Sequence, residues 1–463
     1  MPLRDNIGIV AIISLFLCAN IIFLNFYSDV WWDSSVYIGM GKYIFSFGKS
    51  GLWEESRPLI FPFILGIGWK LGFDAVYFGR VVSVIFAILT ILMTYSIGLK
   101  LFSKKAGLLA AFFTAFSYTF LFYSPNILTE MPSMLFLLLA FYFFLGNRFF
   151  LMGLTAGIAV MTRLFQTFAL IGLGLVFLVS MRKKPNFARK LFYCAAGFLM
   201  LVLPYLILNY YIYNDMLEPF KVQTHLTRTT GWMHYEEALF YIKGLLKENF
   251  FIVLLLLLPL FFRKDHGFLA LFLIPSIYLT IFSIVRNKDM RYALIAMPFL
   301  YLLLSYCMIQ IYNKIKHKKL ALAVFALLSA AWTATTFMSF QNIVLYNYQQ
   351  NDEGFLHFQN YLRDNNGNAW ITNPLYALHS DQKIDGLLYF YSSQNLINFI
   401  NYKKDYADII LFNSCDIPCP PPELDLVCPE SRKMLYNLVS KFKKVYEKEI
   451  NSCKYEIYRR ITS

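Results

Sequence analysis

Long apolar runs alternate with short polar ones from the N-terminus to about residue 340, and the pattern then changes. A helix needs about 20 consecutive apolar residues to cross a bilayer. On that measure about eleven crossings are expected, over 7–27, 76–99, 106–123, 129–146, 149–163, 165–181, 189–213, 249–262, 267–285, 291–313 and 319–340. One further apolar segment, 59–73, is short and interrupted by Pro62, Gly66 and Gly68. It is expected to re-enter the membrane or to lie along its surface. No small-residue cleavage site follows the first run, so 7–27 reads as a spanning helix rather than a removed signal.

From 341 the chain turns polar. The segments 369–373, 386–391, 407–412 and 454–460 read as short strands, and 351–364 and 431–448 as amphipathic helices. The expected organisation is a transmembrane domain over 1–340 and a small α/β domain over 341–463. No Gly-rich turn follows any of these strands, which argues against a nucleotide-binding unit.

Lys and Arg concentrate in the loops after the second, sixth, eighth and tenth crossings: 100–105, 182–190, 263–264 and 314–319. The positive-inside rule places these loops, and the N-terminus, in the cytoplasm. The loop 28–62, the turn before Glu130, the loop 214–248, the turn 286–291 and the tail then fall on one outer face. A bacterial or archaeal plasma membrane is the expected location.

Composition agrees. Of 463 residues 58% are hydrophobic, against about 45–50% in soluble domains. The net charge of +14 is accounted for by the cytoplasmic loops, and no nucleic-acid-binding motif appears, so no nucleic-acid partner is expected. Cys18, Cys194 and Cys307 lie in apolar runs. Cys415, Cys419, Cys428 and Cys453 cluster in the tail and suggest one or two disulfides on an oxidising face, with zinc the alternative.

Candidate chemistry gathers in the outer segments. The loop 28–62 is dense in acids and aromatics: Asp29, Asp33, Glu54 and Glu55, with Arg57 beside them. Asp33 either accepts a proton from an attacking hydroxyl or simply opens a helix. Glu130 lies at the mouth of the fourth span; it suits a helix's first turn, and an acid at the edge of hydrocarbon is also a functional candidate. The turn 286–292 (RNKDMRY) carries Arg286, Lys288 and Arg291 where the positive-inside rule expects few cations. Such a group suits a phosphate, or lipid headgroups. Arg57 binds the same phosphate or pairs with Glu54 or Glu55. Arg163 lies between two apolar runs, where an Arg usually has an acidic partner. Tyr37, Glu55 and Tyr292 are expected to bind substrate. His225 and His234 have no helical register and make a weak metal pair.

With these residues in view, the chain resembles the GT-C superfamily of polyprenyl-phosphate-sugar-dependent glycosyltransferases. It is most similar to the branch of protein O-mannosyltransferases, lipid A aminoarabinose transferases and rhizobial lipopolysaccharide-core transferases. The resemblance covers about residues 7–340. It rests on Asp33 followed four on by Tyr37, RPLIFPFILGIGWKLG (57–72), ILTEMP (127–132), GLTAGIAVMTR (153–163) and KDMRYALIAMP (288–298). Ser34 stands where many members carry a second acid.

The resemblance implies an α-helical polytopic membrane protein of GT-C fold with a small C-terminal α/β extracytoplasmic domain. It implies transfer of a sugar from a polyprenyl-phosphate donor to an acceptor hydroxyl on a protein, lipid or glycan, with inversion. Asp33 would be the base and Glu130 would position acceptor or sugar. Lys288 and Arg291, with Arg57 or Arg163, would hold the donor phosphate. No cofactor is required, and a divalent metal is possible. A transporter or flippase of lipid-linked glycans is the alternative; the chain shows no internal repeat, and its acids cluster at one interface.

Overall fold

The computed structural model describes residues 6–24, 30–229, 235–344, 353–365, 367–388, 393–403, 407–417, 419, 423 and 425–461. Its helices in chain order are α1 (Ile7–Leu24), α2 (Trp32–Phe45), α3 (Ile60–Lys70), α4 (Ala75–Leu101), α5 (Lys104–Phe116), α6 (Tyr118–Tyr123) and α7 (Glu130–Leu145). Then come α8 (Phe149–Thr162), α9 (Gln166–Met181), α10 (Phe187–Tyr213), α11 (Glu218–Thr229), α12 (Phe240–Glu248) and α13 (His266–Ile284). The series ends with α14 (Met290–Ala293), α15 (Met297–Lys314), α16 (Lys318–Val344), α17 (Glu353–Asp364), α18 (Ser393–Lys403) and α19 (Cys428–Val439). The strands are β1 (Gly51–Leu52), β2 (Ala369–Ile371), β3 (Lys383–Leu387), β4 (Ile409–Asn413), β5 (Lys443–Ile450) and β6 (Cys453–Arg459).

The chain divides into two compact units, one of Met1–Ser28, Val81–Leu217 and Glu236–Tyr346, the other of Asp29–Arg80, Glu218–Tyr235 and Asn347–Ser463. The first is helical. Each segment expected to cross the membrane coincides with helix, and α4, α10, α13 and α16 are long and apolar enough to span by themselves. Three of the expected spans are not single α-helices. The segment 106–123 breaks at Ser117, whose extended ψ of 137° separates α5 from α6. The segment 291–313 divides into α14 and α15, with Pro298 at the start of α15, where a missing N–H costs nothing. The segment 249–262 is a 3-10 helix, Phe250–Phe261, bent 108° from α12.

A half-buried carboxylate holds that bend. Glu248 accepts the Thr119 N–H at 2.9 Å and the Thr119 hydroxyl at 2.6 Å, which satisfies a backbone donor at the start of α6. The Trp332 indole N–H donates to the Glu248 carbonyl at 2.7 Å and ties α16 to the same point.

The second unit is a six-stranded sheet in the order β1-β3-β2-β4-β6-β5. The first four are parallel and the last two antiparallel. Side chains alternate across it, as a strand's period of two requires. Ala369, Ile371, Ile409 and Leu411 face one core together with Phe358 and Leu362 of α17. Trp370, Ile410 and Phe412 face the other with Leu396 and Ile400 of α18 and Leu435 and Leu438 of α19. Disulfides join Cys415 to Cys453 and Cys419 to Cys428.

The tail departs from its sequence pattern in two places. The expected helix 431–448 ends at Val439, and KKVYEKEI forms β5 instead. The expected strand 386–391 begins earlier, at Lys383, and residues 389–391 lie outside the described residues.

The sheet's first strand does not come from the tail. Gly51 and Leu52, in the loop 28–62, pair in parallel with Lys383 and Ile384. Val36 and Met40 of α2, with Leu52, belong to the α17 side of the core. Gly51 has φ +78°, and a Cβ there would collide with the Gly39 carbonyl oxygen. Gly72 has φ +84° with open space around it. Gly72→Ala therefore meets only backbone strain, about 1–2 kcal/mol, whereas Gly51→Ala adds a clash and is expected to cost on the order of 3 kcal/mol. Melting temperatures of the two variants in detergent check this; equal losses would show that the Gly39 contact constrains nothing.

Candidate active site

The candidate residues form two clusters, one in each unit. In the sheet-bearing unit, Asp33 lies in the first turn of α2, and Trp31 occupies the cap position. Its Oδ1 accepts a hydrogen bond from Arg57 Nη2 at 2.6 Å. Arg57 Nε donates to Glu54 Oε1 at 3.1 Å, and Arg57 Nη1 to the Tyr37 hydroxyl at 3.3 Å. Ser56 donates to the same Glu54 oxygen at 2.7 Å. Asp33 and Tyr37, four apart, share a helix face, and one guanidinium spans both. The Asp33 side chain is 18% exposed, so the carboxylate is fixed but reachable. Of the two acids offered to Arg57, Glu54 pairs with it, and Glu55 is half-buried.

In the helical unit, Glu130 is the first residue of α7 and is 1% exposed. Arg163 follows the last turn of α8 in extended conformation, φ −153° and ψ 114°. Its Nη1 lies 2.6 Å from Glu130 Oε1 and donates to the Thr129 hydroxyl at 3.3 Å. Arg291 Nε lies 3.9 Å from the same Glu130 oxygen and 3.4 Å from Asp289 Oδ2. Asp289 caps α14 by accepting the Arg291 N–H at 2.9 Å, and accepts the Tyr123 hydroxyl at 3.0 Å. The Tyr292 ring carries both cations, with Arg163 and Arg291 at 5.3 and 5.2 Å from its centroid. Lys288 is buried and donates to the Glu236 carbonyl at 2.7 Å. Arg163 Nε, also buried, has no hydrogen-bond partner among the described residues.

The structure thus joins Glu130, Arg163, Arg291 and Tyr292, and separately Asp33, Tyr37 and Arg57. The pairing of Glu54 with Arg57 is one of the expected alternatives. The roles of Tyr123 and the capping Asp289 were not foreseen, and nothing local marks Tyr123. Arg228's side chain, His234 and Asp29 lie outside the described residues. Among the described residues no group of three or more His, Cys, Asp or Glu side chains is placed to hold a metal ion.

The family model for dolichyl-phosphate-mannose-protein mannosyltransferases matches residues 56–208. The structure resembles that of ArnT from Cupriavidus metallidurans bound to undecaprenyl phosphate, with TM-score 0.67 and 11% identity over 99% of each chain. The fold is that of the GT-C superfamily. It is also similar to the oligosaccharyltransferase AglB from Archaeoglobus fulgidus in complex with an inhibitory peptide and a dolichol-phosphate, with TM-score 0.64 and 12% identity over 96% of this chain and 74% of that one. The arabinofuranosyltransferase AftD from Mycobacteria aligns with TM-score 0.53 and 12% identity over 98% of this chain and 41% of that one. No curated protein matches the sequence. The two stretches that carry Arg57 and Arg163 both fall within the span of the family model.

The Glu130–Arg163 pair makes a sharp expectation. Removing one partner of a buried ion pair leaves an uncompensated charge and costs about 3–5 kcal/mol, whereas replacing both by apolar groups is often neutral. Arg163→Met is expected to destabilise by that amount, and Glu130→Leu combined with Arg163→Met to recover most of it. Thermal unfolding of the two variants in nanodiscs checks this. A double variant no better than the single one would show that the pair is not coupled.

Proposed function

We propose that this protein is an integral membrane glycosyltransferase that moves a sugar from a polyprenyl-phosphate donor to an acceptor hydroxyl on a protein, lipid or glycan, with inversion. The observation that carries the reading is the buried set of two guanidiniums on one carboxylate, Arg163 and Arg291 about Glu130, with Arg163 Nε unsatisfied among the described residues. Cations held in an apolar surround suit a phosphate whose charge grows as the sugar leaves it. Arg291 and Arg163 hold that phosphate, and Glu130 keeps them in place and positions the sugar. Lys288 adds positive charge at the turn, and Tyr292 and Glu55 contact substrate.

Asp33 is the base. The acceptor oxygen attacks the anomeric carbon, the carbon–oxygen bond to phosphate breaks, and polyprenyl phosphate leaves with the bonding electrons. Asp33 takes the acceptor's proton, and Arg57 and Tyr37 orient it. The leaving phosphate needs no proton, so one carboxylate serves where glycosidases use two. Arg57, engaged by Asp33 and Glu54, also meets the phosphate when substrate is bound. The N-terminus and the basic loops lie in the cytoplasm, and the sheet-bearing unit lies outside, in the plasma membrane. The step needs no metal.

The test measures release of polyprenyl phosphate from a polyprenyl-phosphate sugar in membranes, with wild type beside Asp33→Asn. Wild-type release is expected to continue in chelator, and Asp33→Asn to lower it by about 10²-fold or more while donor binding holds. Release equal in both would remove Asp33 from the reaction. Donor binding without release in either, with movement of donor between leaflets, would make the protein a transporter.

A further inference from the structure

We infer that Lys42 is a positioning residue: it latches the helix that carries Asp33 onto the C-terminal sheet, so that base and sheet move as one body. The inference rests on the reading of Asp33 as the base. Lys42 lies nine residues beyond Asp33 on α2, about 13 Å along the axis at 1.5 Å per residue. It is 4% exposed, and its three ammonium hydrogens have three acceptors. They are the carbonyls of Leu378 at 3.1 Å and Ser380 at 2.8 Å, and Asp381 Oδ1 at 3.2 Å.

Those carbonyls belong to a fixed turn. It follows the 3-10 helix Pro374–Ala377, whose Tyr376 is in the core with Val36 and Met40. Ser380 itself donates to the Leu362 carbonyl at 3.2 Å and accepts the Gln382 N–H at 3.1 Å. Trp69 of α3 donates to Asp381 at 3.0 Å. Burial lowers the pKa of Lys42, and Asp381 raises it in part.

Each face of α2 is therefore occupied. Asp33 and Tyr37 meet Arg57; Val36 and Met40 enter the sheet's core; at Gly41 a Cβ would come within 2.7 Å of the Pro62 oxygen and Gly66 nitrogen of α3. Lys42 closes the far end. A buried ammonium costs more to place than an apolar side chain of like size, and it gives directed bonds that packing cannot. Misplacing a reacting group by about 1 Å costs on the order of 10²-fold in rate, so a loosened α2 shows first in turnover.

The test uses the full chain in nanodiscs, with Lys42→Met, Lys42→Arg and Asp381→Asn. Lys42→Met keeps the stem and removes the donors. It is expected to lower kcat about tenfold with donor KM within about twofold. Lys42→Arg, which restores charge and donors, is expected to recover to within about threefold of wild type. Asp381→Asn leaves both carbonyl contacts and is expected to change kcat less than twofold. Hydrogen exchange supplies a readout that needs no activity: amides of α2 should exchange faster in Lys42→Met while β4 and β6 stay protected. Unchanged kcat with unchanged α2 protection overturns the latch. So does exchange that rises equally in α2, β4 and β6, which marks a general loss of stability. If α2 loosens as expected but wild type itself transfers no sugar, the latch stands and the glycosyl-transfer reading falls.

Discussion

A carboxylate that is 1% exposed at the first turn of an apolar helix has to be neutralised by a fixed cation, and Glu130 has Arg163 at 2.6 Å. That requirement shapes the surrounding chain. Arg163 reaches Glu130 because α8 ends one residue earlier and the backbone turns to extended conformation there. The same side chain bonds Thr129, the residue before α7, so the start of one helix and the end of another are tied at one point. Gln166, the first residue of α9, donates to the hydroxyl of Ser133, three residues into α7, at 2.9 Å and repeats the tie. Arg291 is then drawn to a site that already holds one cation, and Asp289 and the Tyr292 face supply the compensation. Two guanidiniums side by side would repel; two carboxylates and an aromatic ring about them offset that repulsion.

The other unit solves a different problem, that of keeping Asp33 still on a segment that lies between long apolar stretches in the sequence. Loops are commonly the mobile part of a fold. Here residues 32–45 are helix, 51–52 are an edge strand of the sheet, and Val36, Met40 and Leu52 are core residues. Each of these would be an exposed apolar side chain if the tail were absent. The tail would likewise show a bare sheet edge along β3, which proteins usually cover. The loop and the tail are thus one folded body assembled from distant stretches of sequence, and that rigidity is what the base proposed at Asp33 would need.

Much of this was legible in the residues. Apolar run length marked most helices of the helical unit, because a span's length is set by the bilayer and leaves a signal in composition; α12, in the expected loop 214–248, was missed. The acids and cations at the ends of those runs, Asp33, Glu130, Arg163 and Arg291, stood out because charge near hydrocarbon is costly. What was not legible is pairing at long range. Nothing local says that Arg57 spans to Asp33, or that Lys42 meets Leu378 and Ser380 some 336 and 338 residues on. Lys42 sits in a Gly-rich helix that looks like an ordinary interface segment. A two-residue strand has no periodicity to detect, so β1 was hidden in a loop. KKVYEKEI was misread because its few apolar residues fit either a helix face or a strand's alternation; pairing with β6 decides it, and that pairing is a tertiary fact.

The two clusters differ in charge, and the difference matches the proposed division of labour. The set about Arg57 has one cation and two acids, Asp33 and Glu54, and so an excess of negative charge to spend on a proton. The set about Glu130 counts Arg163 and Arg291 against Glu130 and Asp289 and is balanced, and Lys288 lies three residues before Arg291 in the chain. Other balances would serve neither end of the reaction: a cationic surround would hold back the base's uptake of a proton, and an anionic one would repel the donor. On the proposed reading, sugar transfer from a lipid phosphate asks for one proton acceptor and one anion holder, and each of the two clusters stands on a frame that keeps its charges paired.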